Sequence, residues 1–228
     1  MKATGSRPKA TARRRILILD DHPITRYGLT QLINHEPDLL VCGDAQGAAQ
    51  ALAAMRSARP DLVLADITMP GKSGFEFIKD VQAQHPTVPV LVISMHDERI
   101  YAERVLRAGG RGYIMKNEGG EKVLEAIRQV LKGQVYVSKN MSAALLDTFT
   151  RRHSGSQEAT LGALSDREFE VFQLIGQGLS GQQIGQRLNL SVKTVGTHRQ
   201  HIMQKLKLRT GPELIRQAVR WAAAQQLV

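Results

Sequence analysis

From residue 16 onward the chain alternates short apolar runs with longer stretches of mixed polarity. The runs are "ILIL" (16–19), "LLVC" (39–42), "LVLA" (62–65), "VPVLVIS" (88–94) and "GYIM" (112–115). Each is near-continuously hydrophobic rather than alternating, the pattern of a parallel strand covered on both faces. Between them lie amphipathic segments of helix length, near 24–35, 46–58, 73–84, 97–108 and 119–132. Pro60, Pro86 and the Gly109–Gly110 pair punctuate the ends of three of these. Five strand–helix units in succession predict an α/β domain, a doubly wound five-stranded parallel sheet with helices on both faces.

The pattern changes after residue 137. "SKNMSAALLDTFTRRH" has the character of a short helix, and "SGSQEATLGA" is small and polar like a linker. Helix starts then crowd together. "SDRE" (165–168) and "SGQQ" (180–183) fit capping boxes, "TGPE" (210–213) fits one with Pro212 in the first turn, and Ser191 is placed to cap "VKTVGTHRQHIMQKL". Four helices with only "LNL" (188–190) between the second and third predict a small all-α helix-turn-helix domain. The expected organisation is a basic disordered tail at 1–14, an α/β domain at 15–137, a linker at 138–160 and the helical domain at 161–228.

Composition adds limits. The 228 residues suit two ordinary domains, and 42% hydrophobic residues suffice for real cores. No apolar run approaches the ~20 residues of a membrane span, and the N-terminus lacks the ~7–15 residue apolar segment of a secretory signal. The single cysteine, Cys42, has no intramolecular disulfide partner. These features predict a soluble cytoplasmic protein with no membrane partner. The net charge of +10 is uneven: Lys and Arg outnumber Asp and Glu by 6 to 0 over residues 1–15 and 9 to 4 over 161–228, while 16–137 carries 13 against 15. A compact basic domain is an electrostatic footprint for a polyanion.

In doubly wound sheets ligands bind at the carboxyl ends of the strands. The residues following the apolar runs are Asp20 and Asp21, Gly43–Asp44, Asp66, Ser94 and Lys116. Adjacent acids at a strand end serve as a turn or helix cap, or as part of a site for a hard cation that needs several oxygens at one point. Three acids, a hydroxyl and a lysine converging on one edge favour the site.

"DDHP", "DITMPGKSG" from Asp66, Ser94 in "VISMHDE" and Lys116 in "GYIMK" together resemble a response-regulator receiver domain, which is flavodoxin-like. The segment "LSDREFEVFQLIGQGLSGQQIGQRLNLSVKTVGTHRQHIMQKLKLRT" resembles the LuxR-type helix-turn-helix, and the pair resembles the NarL/FixJ class. The resemblance implies a transcription regulator controlled by phosphorylation rather than an enzyme with a separate substrate. Asp66, on a solvent-facing edge, would accept a phosphoryl group from a sensor histidine kinase. Mg²⁺ would be held by Asp21, Asp66 and the Thr68 carbonyl, with Asp20 completing the acidic edge. Lys116 would pair with the phosphoryl oxygens, Ser94 would donate a hydrogen bond to one, and Tyr113 would swing inward behind it. Met69–Pro70 and Gly74 would shape the acceptor loop, and Thr68 and His96 sit where the family tunes hydrolysis. His96 itself is expected to be a solvated histidine, and His22 to be structural.

In the helical domain Val192, Val195, Ile202 and Leu206 form the expected buried stripe of the third helix. Thr197 and Gln200 are then placed to read base edges of double-stranded DNA. Lys193 is exposed beside them, and Thr194, Arg199, Lys205 and Lys207 are expected on phosphates. Gly196 and Gly185 depart from the family pattern, the second replacing a residue that is usually Ala with packing expected to survive. Lys207 stands where relatives carry a C-terminal glycine. The last helix has an apolar flank that the family uses for dimers, so a homodimer on phosphorylation is expected. Two other readings are an aspartyl-phosphate hydrolase, which typically has a second Asp where Thr68 stands, and a pseudo-receiver that is never phosphorylated.

Overall fold

The computed structural model describes residues 12–69, 73–150 and 161–224, with the backbone alone for 145–150. Strands β1 (Arg14–Leu19), β2 (Leu39–Ala45), β3 (Leu62–Ala65), β4 (Val90–Ser94) and β5 (Gly112–Met115) form one sheet in the order β2-β1-β3-β4-β5. Every pairing is parallel. Helices α1 (Pro23–Asn34), α2 (Ala48–Ala58), α3 (Gly74–Gln84), α4 (Glu98–Arg107) and α5 (Gly120–Leu131) connect and cover the strands. Successive side chains of a strand point to opposite faces, so Leu17 and Leu19 pack on one side of the sheet and Ile16 and Ile18 on the other. The apolar runs therefore read as continuous.

β1 starts two residues before its apolar run. Arg13 is placed by hydrogen bonds to the carbonyls of Leu39, Asn34 and Glu36, and Arg14 by an ion pair with Asp61 at 3.1 Å. The expected disordered tail thus ends before Arg13; residues 1–11 lie outside the described residues. β2 runs to Ala45, so Gly43 and Asp44 belong to the strand, and Asp44 pairs with Arg26 at 2.9 Å instead of joining the strand-end group.

A further extended segment was not visible in the sequence pattern. The Tyr113 N–H donates to the Tyr136 carbonyl at 2.8 Å, and the Tyr136 N–H to the Arg111 carbonyl at 3.1 Å. Buried Glu98 then accepts the Ser138 N–H at 2.6 Å. These bonds fasten the start of α6 (Lys139–Thr150) to β5 and to the first turn of α4. The remainder of the expected linker, residues 151–160, lies outside the described residues.

The second domain contains α7 (Asp166–Gly176), α8 (Gly181–Leu188), α9 (Val192–Lys205) and α10 (Gly211–Ala224). Ser165 with Glu168 and Ser180 with Gln183 form complete capping boxes, and Ser191 caps α9 through the Thr194 N–H. In α9, Val195, Ile202 and Leu206 are buried, but Val192 is 59% exposed. It occupies the first helical position, before the helix has turned onto α7, which corrects the expected stripe by one residue.

Two backbone positions show why composition matters here. Gly185 was expected to stand in for alanine with its packing intact, and a Cβ there would stand 2.7 Å from the Leu190 carbonyl oxygen. Gly185→Ala is therefore expected to destabilise the domain by about 1–3 kcal/mol through overpacking, which a thermal melt measures; an unchanged melting temperature would show that the turn yields freely. Lys207 adopts φ +55°. Its N–H and that of Leu208 close the end of α9 onto Gln204 and Met203, the geometry a glycine normally serves. Lys207→Gly should raise stability by roughly 1 kcal/mol, read by the same melt.

Candidate functional site

β1 and β3 end side by side, so their trailing residues meet. Asp20 is fully buried and Asp66 is 4% exposed. Lys116 follows β5 and extends over the sheet edge, where its Nζ lies 2.6 Å from Asp20 Oδ2 and 2.7 Å from Asp66 Oδ2. The second Asp66 oxygen accepts the Thr68 N–H at 3.1 Å. Asp66 is thus buried beneath its lysine, a correction to the solvent-facing position expected for it. Burial pushes its carboxyl up from the ordinary value, with Lys116 opposing. Burial acts to lower the Lys116 pKa, but Asp66 and Asp20 prevail and hold it raised. The pair is an internal charge cluster in which one cation restrains two anions.

Asp21 is the more open acid. One ligand atom each from Asp20, Asp21, His22 and Asp66 lies within 4.8 Å of the others. Asp21 Oδ1 is buried with no hydrogen bond among the described residues. A carboxylate oxygen in that position is costly unless a cation meets it, so the donor set fits a divalent ion with oxygen ligands.

Ser94, at the end of β4, is fully buried and its Oγ accepts the His96 N–H at 3.3 Å. Tyr113 is fully buried in the inward position, its hydroxyl donating to the His96 carbonyl at 2.8 Å. Burial raises the Tyr113 pKa, so the phenol is neutral. His96 is no solvated histidine: its ring stacks on Tyr101 at 4.9 Å, and burial, with Lys116 and Arg187 adding to it, depresses its pKa. His22 bonds Asp20 through its backbone N–H at 2.8 Å. Met69 is buried near the acid cluster and Gly74 starts α3, where a Cβ would stand 2.6 Å from Ile67 Cα. Pro70 lies outside the described residues.

Sequence reasoning missed the contact between the domains. Tyr101 of α4 receives a hydrogen bond from Gln173 Nε2 of α7 and meets the Phe169 ring edge-on at 5.7 Å. Phe169 continues to Trp221 of α10 at 5.6 Å. Arg104 places its guanidinium 4.2 Å over Phe169 and donates to the carbonyls of Leu164 at 3.0 Å and Leu161 at 2.6 Å. Asp166 receives Lys79 at 2.6 Å and Arg104 at 3.5 Å. Above Asp66 this packing leaves a cavity of about 500 Å³, with Lys116 and His96 on one side and Glu170, Gln173 and Arg187 on the other. Glu170 has its pKa raised by burial there, against the pull of Arg167. The available signal was Tyr101 and Arg104, three positions apart on one face of α4, but nothing local names their partner.

The predicted DNA-binding residues divide. Lys193, Thr197 and Gln200 are exposed on α9, and Arg199 is half-exposed. The Thr197 hydroxyl turns onto its own helix, donating to the Lys193 carbonyl at 3.2 Å, and the Thr194 hydroxyl meets Ser191 Oγ at 2.8 Å. Lys205 is exposed but paired within the domain, its Nζ 2.6 Å from buried Glu168. A phosphate there would compete with Glu168 for it.

Residues 16–128 match the family described as response regulator receiver domain, and residues 162–218 match bacterial regulatory proteins, luxR family. The chain is 34% identical over 210 residues to the oxygen regulatory protein NreC of Staphylococcus carnosus, covering 90% of this chain and 97% of that one. Among solved structures it resembles RcsB of Salmonella enterica serovar Typhimurium, bound to the promoter rprA with the phosphomimetic BeF3- (TM-score 0.64, 22% identity, 90% of this chain and 97% of that chain). It also resembles the response regulator ChrA of a heme-sensing two-component system (TM-score 0.51, 27% identity, 96% of this chain and 100% of that chain). Two family matches in order along one chain, over the acid–lysine cluster and the capped helix-turn-helix, make this protein a response regulator with a receiver domain followed by a LuxR-family DNA-binding domain.

Proposed function

We propose that Asp66 is the phosphoacceptor and that its phosphorylation controls DNA binding by the C-terminal domain. The observation that carries this is Lys116 drawn onto both Asp20 and Asp66 at the strand ends. A carboxylate oxygen of Asp66 attacks phosphorus in line, and the bond from phosphorus to the histidine nitrogen of the kinase breaks. Lys116 follows the charge onto the phosphoryl oxygens. Ser94, whose hydroxyl proton is free to rotate, donates to one of them, and neutral Tyr113 fills the space behind. Asp21, Asp66 and the Thr68 carbonyl are the residues that would hold Mg²⁺, with Asp20 beside them. A bound divalent cation supplies positive charge that offsets the repulsion between carboxylate and phosphoryl anions.

In this reading the receiver spans 13–137, the linker 138–160 and the DNA-binding domain 161–228. The protein works in the cytoplasm with a sensor histidine kinase and double-stranded DNA as partners, and turns over no separate substrate. Thr68 in place of a second acid supports a stable acceptor over a hydrolase. On DNA, Lys193, Thr197, Arg199 and Gln200 face the duplex, with Thr194 at the helix start; Ile215 and Val219 are 44% and 41% exposed on α10 and suit a homodimer contact. The interdomain contact through α4 and α7 is the element that phosphorylation biases, since Tyr101 stacks on both His96 and Tyr113.

A small phosphodonor with Mg²⁺ separates the readings: stable uptake on Asp66 is expected, whereas rapid turnover would indicate a hydrolase and no uptake a pseudo-receiver. Phosphorylation is also expected to yield a dimer that binds half-sites about 10 base pairs apart, centre to centre, or a multiple of it. Sedimentation at micromolar protein checks this, and an unchanged mass with phosphodonor contradicts it.

A further inference from the structure

His22 stands at the cap of α1, yet its side chain makes no capping hydrogen bond. Pro23 at the first helical position confines the residue before it to extended backbone, and His22 has φ −88° and ψ 113°. With its backbone N–H bonded to Asp20 Oδ1, the imidazole folds back over the strand end. Its Nδ1 lies 2.9 Å from Asp21 Oδ1 and 3.2 Å from Asp20 Oδ1, while the side chain is 66% exposed. The acid cluster is therefore divided. Lys116 takes Asp20 Oδ2 and Asp66 Oδ2 on one side, and on the other Asp20 Oδ1 and Asp21 Oδ1 face a nitrogen.

Resting on the cation site proposed above, we infer that His22 is a nitrogen ligand of that site and makes it prefer imidazole-accepting first-row divalent ions, such as Co²⁺ and Ni²⁺, over Mg²⁺. Nδ1 lies within hydrogen-bond distance of Asp20 Oδ1 at 3.2 Å and within ion-pair distance of Asp21 Oδ1 at 2.9 Å, so the imidazole nitrogen and two carboxylate oxygens converge on one point that a cation bound there would share. A cation with bonds of roughly 2.1 Å separates neighbouring ligands by about 3 Å and opposed ones by about 4.2 Å. A set spanning 4.8 Å closes with small rotations. Mg²⁺ takes oxygen donors and gives up water reluctantly, so an imidazole adds little for it. Co²⁺ and Ni²⁺ accept nitrogen readily, and affinity rises from Co²⁺ to Ni²⁺ at such a site.

The test is calorimetric titration of the full-length protein with Co²⁺ and, separately, Mg²⁺ at neutral pH, together with the visible absorption of the Co²⁺ form. His22→Gln is compared directly, and Asp21→Asn identifies binding at this site against the other histidines. His22 is exposed and caps nothing with its side chain, so the variant keeps the fold, which circular dichroism verifies. The expected result is Co²⁺ binding weakened by about tenfold or more in His22→Gln, with an altered cobalt spectrum and unchanged Mg²⁺ affinity. Co²⁺ binding unaffected by His22→Gln, or both ions weakened equally, overturns the inference while leaving the cation site standing. Absence of any Asp21-dependent binding of either ion to the wild type removes the cation site itself, and the role of His22 with it.

Discussion

Asp66→Asn is expected to take up no phosphoryl group from a small phosphodonor, where the wild-type protein should approach one per chain. The variant is also expected to melt at or above the wild-type temperature at neutral pH. Asp66 is buried and its pKa is raised. A carboxylate raised in the fold is harder to ionise there than in the unfolded chain, so its charge costs stability once the pH exceeds the unfolded value. Asparagine removes that cost, and Lys116 retains Asp20 at 2.6 Å as partner. Intact-mass measurement reads uptake and calorimetry reads stability. Wild-type uptake by the variant would place the acceptor elsewhere; collapse of the fold would mean that Asp66 is a structural partner of Lys116.

Arg104→Ala is expected to part the two domains. The side chain is 12% exposed and holds two carbonyls, Asp166 and the face of Phe169. Hydrogen bonds from a charged donor contribute roughly 1.5–3 kcal/mol, and a stacked guanidinium about 0.5–2 kcal/mol. Allowing for water that replaces part of this, a loss of about 2–4 kcal/mol moves the balance of closed and open forms by roughly 30- to 700-fold. Small-angle scattering should show a larger radius of gyration, and both phosphoryl uptake and unphosphorylated DNA binding should rise. Unchanged dimensions would contradict a closed arrangement held by this residue. Gln173→Ala removes only the bond to Tyr101 and should give a smaller change in the same direction.

The receiver sheet was legible because both faces of each strand are covered, which writes five apolar runs into the chain with little ambiguity. The helix starts of the second domain were legible because Ser165, Ser180 and Ser191 cap through their own side chains, a signal four residues long. The convergence of Asp20, Asp21, Asp66, Ser94 and Lys116 followed from the rule that parallel strands align their carboxyl ends. Burial at the site did not follow. Whether Asp66 faces water depends on where Lys116 reaches across the sheet, and His96 lost its expected solvent to Tyr101. The pairing of Lys205 was hidden because its partner, Glu168, lies far off in sequence on another helix. The interdomain packing left only Tyr101 and Arg104 on one face of α4 as a local trace, and nothing near them in sequence points to Phe169 on another helix.

The most direct measurement is the affinity of the full-length protein for a DNA site selected from random sequence, at fixed salt, as a function of acyl phosphate on Asp66. Fixed salt matters because phosphate contacts alone make affinity fall steeply as ionic strength rises. Wild-type affinity should climb with occupancy of Asp66, while Asp66→Asn, treated identically, stays at the unphosphorylated value. Equal affinity at every occupancy, or the same climb in Asp66→Asn, would contradict control of DNA binding through this aspartate.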